Sequence, residues 1–226
     1  MEIKEHAEEF THTFEIIDIE ANLVDKAIPL GKADELPISE IREDYFTSHT
    51  IFPEMIILRR GDDTGIISGN GIIRVIVRNK LPEEALKIFN KLIKITKKLR
   101  EFDENTQIFD FDITLILYFE SKYGAKSTII GFFGKDKLDL LEKIINEKIT
   151  ALYFGIYLRD FGSREEKDLI DIDIEPASRD VEKLYWLRVR RSVKHTAGID
   201  NLKNYIYEME KKACSIVSNL EVMTND

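Results

Sequence analysis

Residues 108–120 read IFDFDITLILYFE. Phe109, Phe111, Ile113, Leu115, Leu117 and Phe119 fall at every second position, and Asp110, Asp112 and Thr114 begin the opposite set. A side-chain period of two belongs to a β-strand, which shows successive residues to opposite faces. The stretch therefore predicts a long strand with one apolar and one polar side. Strands of that kind build antiparallel sheets with one covered face, so the chain reads as an α+β protein with a mainly antiparallel sheet and helices packed on it.

Working outward, "THTFEIIDIEA" (11–21) is apolar enough for a strand. Residues 54–78 predict a three-strand meander, punctuated by "GDDTG" and by an Asn-Gly pair between β-branched runs, a strong hairpin signal. A short helix is expected near Ser39. The clearest helix spans 81–102. Pro82 suits its first turn, Glu83 and Glu84 sit at the positive end of its dipole, and Lys97, Lys98 and Arg100 at the negative end. Downstream the pattern predicts a strand at 126–133, a helix at 134–148, a strand at 149–160 and a strand within "EKDLIDIDIEPASRD" (166–180). Two closing helices are expected, roughly Asp180–His195 and Gly198–Leu220. From 72 to 160 the resulting order is that of a ferredoxin-like βαββαβ unit. A second framing is a duplication, since strands followed by a helix recur about 100 residues apart. Nothing in 1–226 marks a linker, so a single domain is expected.

The composition is that of a soluble globular chain, 43% hydrophobic and 33% charged. No apolar run reaches the ~18–20 residues that span a bilayer, and the acidic start lacks the pattern of a signal peptide, so a cytoplasmic protein is expected. A net charge of -9 disfavours nucleic acid as a partner. Abundant Lys, Glu and Ile beside a single glutamine, Gln107, lean towards a hot environment or an AT-rich genome. Cys214 alone excludes an intrachain disulfide and a multi-thiolate cluster.

Three constellations carry candidate chemistry. The first is a sheet face with Arg74, Arg78, Tyr153, Tyr157 and Arg159, a combination that stacks and neutralises nucleotides. The second is the aspartate pairs Asp110/Asp112 and Asp171/Asp173, which on adjacent strands would offer oxygens to a divalent cation for phosphoryl or nuclease chemistry. The third is "RVRRSVKH" (188–195), which on a helix would set Arg188, Arg191 and His195 on one side. There it would bind an anion or compensate Asp171, Asp173 and Glu175. The dinucleotide-fold glycine fingerprint, the P-loop, the zincin spacing and the hydrolase nucleophile elbow are all missing. No cofactor is expected. The reading is a binding or assembly module, self-associating because strand edges or an apolar helix face are left over. A metal-dependent nuclease or phosphotransferase and a nucleotide sensor are the alternatives.

Overall fold

The structure, a computed structural model, describes residues 11–24, 27–30, 45–102, 108–149, 152–158, 168–194 and 199–225. Nine strands form one antiparallel sheet. They are β1 (His12–Leu23), β2 (Ser48–Ile51), β3 (Met55–Arg60), β4 (Asp63–Ser68), β5 (Ile72–Arg78), β6 (Ile108–Glu120), β7 (Phe154–Leu158), β8 (Asp168–Pro176) and β9 (Leu184–Lys194). Their spatial order is β2-β3-β4-β5-β1-β6-β9-β8-β7. Four α-helices accompany them among the described residues: α1 (Pro82–Leu99), α2 (Ala125–Phe133), α3 (Lys135–Ile145) and α4 (Leu202–Asn225).

The period of two read from 108–120 holds. Phe111, Ile113, Leu115, Leu117 and Phe119 are buried, and they continue across the sheet into Ile17, Ile19 and Ala21 of β1, Val75 and Val77 of β5 and Leu187 and Val189 of β9. Among the described residues, helices cover this face alone: α1 packs against β4, β5 and β1, α4 against β6 and β9, and α2 against β8. A close approach is at Gly65 on β4, where a Cβ would stand 2.7 Å from the Phe46 ring and 3.1 Å from Leu92. Glycine lets α1 and Phe46 press onto the strand there.

Two expected elements are of the other kind. Residues 125–133 are the helix α2, with Ala125, Thr128 and Ile129 buried at helical spacing and Gly124 and Gly134 at its ends. The order over 72–160 is therefore β-α-β-α-α-β, with a helix at 125–133 where a ferredoxin-like βαββαβ unit needs its third strand. Residues 184–194 are the strand β9 and not a helix. Tyr185, Leu187, Val189 and Val193 alternate inward, and sheet burial of that set outweighs the helical spacing of the arginines. The helix expected near Ser39 lies outside the described residues.

The topology has an internal echo. From β1 the chain goes to one sheet edge and returns through β3, β4 and β5, ending in α1; from β6 it goes to the other edge and returns through β7, β8 and β9, ending in α4. The two first strands, β1 and β6, pair with each other at the centre. Among the described residues no helix is long and apolar enough to cross a membrane.

Candidate functional site

On β5, β1, β6, β9 and β8 no described residue of the helix-free face is buried. One row across that face runs Ile76, Asp18, Thr114, Arg190 and Asp171, with Tyr157 in backbone register beside Asp171. A second runs Arg74, Glu20, Asp112 and Ser192. A third runs Arg78, Ile16, Ile116, Arg188, Asp173 and Gly155. Charged, polar and aliphatic side chains thus interleave.

Arg74, Arg188 and Arg190 of this face are engaged by carboxylates. Arg74 donates to Asp18 in a fork, Nε to Oδ1 at 2.9 Å and Nη2 to Oδ2 at 2.5 Å, with Glu20 at 3.6 Å. Arg188 donates to Asp173 through Nε at 2.9 Å and Nη2 at 2.6 Å, and Arg190 stands 3.9 Å from the same carboxylate. Arg179 reaches Glu15 at 2.6 Å and lies 4.6 Å over the Tyr118 ring. Ser192 donates to Asp112. Burial first, then the neighbouring Asp112 and Asp18, push the Glu20 carboxyl above its ordinary range against the pull of Arg74.

The acidic stretch 171–175 is therefore compensated by Arg188 and Arg190, through strand register and not through a helix folding back. On a strand, Arg188 and Arg191 point to opposite faces. Arg191 is buried under α4, donating to Glu208 at 2.6 Å beneath the Tyr205 ring. Lys194 lies in register with Asp110, and His195 lies outside the described residues.

The aspartate pairs do not meet. Asp110 and Asp112 are on β6 and Asp171 and Asp173 on β8, two strand spacings or about 10 Å apart, with the arginines of β9 between. Among the described residues no three His, Cys, Asp or Glu stand together as a metal site. The nucleotide constellation is also spread out. Arg74 and Arg78 on β5 are five spacings, about 24 Å, from Tyr157 on β7. Tyr153 is exposed just before β7, and Arg159 lies outside the described residues.

Three features have no counterpart in the sequence reading. Glu221, 1% exposed, accepts from the Ser121 hydroxyl at 2.5 Å, the Tyr185 hydroxyl at 3.1 Å and the Lys122 N–H at 3.0 Å. Its surroundings push Tyr185 up to about 12, burial being the main cause. Asp63, 4% exposed, accepts from the Tyr45 hydroxyl and from the Arg78 N–H at 3.2 Å, with Lys80 at 3.5 Å. The third is α3, where Leu138 is buried but Leu140, Leu141, Ile144 and Ile145 are 42–69% exposed. A cleft of about 580 Å³ between β1, α1 and α4 is lined by polar groups already paired, His12 with Glu210 and Tyr207 with Glu83. Cys214 is half-buried, and burial followed by Glu210 pushes its thiol up, away from the reactive thiolate.

No protein-family model matches the chain, and no curated protein does. Among solved structures it is similar to Methanococcus jannaschii TBP, at 10% identity and a TM-score of 0.40, over 92% of this chain and 98% of that one.

Proposed function

We propose that this chain is a non-catalytic binding and assembly module that self-associates and presents its helix-free sheet face to a protein partner. The observation that carries the reading is the chemistry of that face. Arg74, Arg188 and Arg190 are held by carboxylates of the same face, and Ile16, Ile76, Ile116, Tyr118 and Trp186 lie among them. Interleaved aromatic, aliphatic and paired charged groups are the composition of protein interfaces. A polyanion surface would need cations left for phosphate, and acidic residues are the more abundant here. The cytoplasmic setting belongs to the same proposal and agrees with the single cysteine.

The test is a ligand panel read by thermal shift, with light scattering beside it. The reading expects association above the 26.3 kDa chain mass and no stabilisation by Mn²⁺, nucleotides or duplex DNA. A strict monomer across micromolar concentrations refutes it. Micromolar Mn²⁺ binding that Asp171→Asn abolishes would put the nuclease or phosphotransferase first, and stabilisation by a nucleotide would put the sensor first.

A further inference from the structure

The helix α3 follows α2 after Gly134, whose backbone takes φ 80°. Its aliphatic residues recur at helical spacing: Leu138, Leu141 and Ile145 on one line, Leu140 and Ile144 on the next. Such a stripe forms a helix because it can be buried, yet only Leu138 is buried here. Leu140 is 59% exposed, Leu141 42%, Ile144 69% and Ile145 53%, with Phe132 and Tyr153 also exposed in the same stretch of chain. Six of the fifteen exposed large hydrophobics among the described residues therefore fall within 132–153.

We infer that the exposed face of α3 is the homodimer contact of this protein, occupied by α3 of a second copy running antiparallel. The inference rests on the self-association proposed above and assigns its surface.

Two arguments select this occupant. The first is charge. The helical positions that flank the aliphatic stripe hold Asp136 and Lys143 on one side and Lys135 and Glu142 on the other. An antiparallel copy sets each flank against its own reverse, so Asp136 meets a Lys143 and Lys135 meets a Glu142. A parallel copy would set the two flanks against each other, Asp136 near Lys135 and Lys143 near Glu142, so the paired charge swap at Asp136 and Lys143 is what separates the two orientations. The same mixture of signs differs from the Lys- and Arg-rich polar face of a helix that lies on an anionic membrane. The second argument is area. Side chains of this size carry roughly 150–200 Å² when free, so the four exposed aliphatics of α3 at about half exposure present on the order of 400 Å². That is the apolar share of the ~800 Å² each partner gives to a standard interface.

The experiment uses the full chain. Multi-angle light scattering at about 1–100 μM, the micromolar range of a modest dimer, is expected to give twice the chain mass. The double substitution Leu141→Glu/Ile144→Glu touches exposed positions and is expected to halve that mass with unchanged circular dichroism. Asp136→Lys is expected to weaken the dimer, and Asp136→Lys with Lys143→Asp to restore it. A wild-type dimer that survives the double substitution overturns the inference while leaving self-association standing. A wild-type monomer overturns both. A monomer that sediments with anionic phosphatidylserine vesicles replaces the second copy by a membrane surface and likewise overturns the assignment.

Discussion

From β1 the chain travels to one edge of the sheet and comes back until β5 lies beside β1; from β6 it travels to the other edge and comes back until β9 lies beside β6. Each half then lays a helix beneath the strands just made. The halves differ in how that helix is held. The buried residues of α1 are apolar except Thr96, whose hydroxyl donates back to the Leu92 carbonyl at 2.9 Å. The helix α4 adds Glu221 to an apolar stripe from Leu202 to Leu220, and it covers the buried Arg191. Within the second half, α2 and α3 lie between the first strand and the edge strand. The comparison teaches that one chain path tolerates an apolar and a polar way of fastening its helix.

The largest expected effect falls where the halves join. Phe111 on β6 is fully buried, with its ring 6.4 Å from that of Phe89 on α1. Phe111→Ala should cost ~3–5 kcal/mol in urea unfolding. Phe154→Ala on the half-buried rim strand β7 should cost less than half as much. A loss under about 1 kcal/mol at Phe111 would break the view of one core shared by both halves.

The polar fastening of α4 comes next. Glu221→Ala leaves the Ser121 and Tyr185 hydroxyls and the Lys122 N–H without their shared acceptor, an expected loss of about 2–3 kcal/mol, while Glu221→Gln keeps an acceptor oxygen and should lose less. Equal losses for the two variants would mean that charge, not hydrogen bonding, holds this end of α4.

The sheet-face ion pairs offer a direct test of equivalence. Arg74–Asp18 in the first half and Arg188–Asp173 in the second have side-chain exposures of 38%/16% and 39%/13%. Double-mutant cycles should give each pair a coupling of ~0.5–1 kcal/mol that shrinks at high salt. Unequal couplings would set the halves apart electrostatically.

The smallest effect is at Glu20. Its carboxyl is raised in the folded state, so the native protein holds that proton more tightly than the unfolded chain. The folded state is then penalised above its pKa and relieved as pH falls through the raised value into the ordinary carboxylate range. Glu20→Gln should therefore equal or exceed the wild type in urea midpoint near neutrality, and that margin should close by about pH 4, near the free carboxyl's pKa. A margin that grows on acidification would mean that the Arg74 attraction outweighs burial.

Much of this fold is legible in the sequence because a half-covered sheet writes itself as alternation. The strands at 11–21, 54–78, 108–120 and 166–180 and the helices at 81–102, 134–148 and 198–220 show that directly. The strand Ser48–Ile51 left no pattern, and two segments read as the wrong kind for separate reasons. "KSTIIGFF" is a short continuous apolar run, which a strand and a buried helix write alike; glycine boundaries on both sides are its one helical sign. In "LYWLRVRRSVK" the inward position at 191 is an arginine, so the alternation is broken by a buried charge whose partner, Glu208, lies on a different element. The compensation of Asp173 by Arg188 was readable from charge alone, whereas the two-strand gap between the aspartate pairs depends on sheet order, which no local pattern encodes. That α3 would be helical follows from its stripe, but whether a stripe is covered depends on the rest of the fold.

The sheet order also has a consequence for synthesis. β9 sits between β6 and β8, both of which leave the ribosome before it. A nascent chain that has made residues 108–176 therefore holds a gap one strand wide, flanked on both sides by unpaired backbone groups. β7 and β8 can close as a hairpin of their own, but they cannot dock on the central pair until residues 184–194 emerge and thread the gap. The first half meets the same gap, since β5 sits between β1 and β4, but it closes that gap earlier because residues 72–78 emerge long before residues 184–194. A ribosome stalled just before residue 184 should thus carry a finished first half and a protease-sensitive second one.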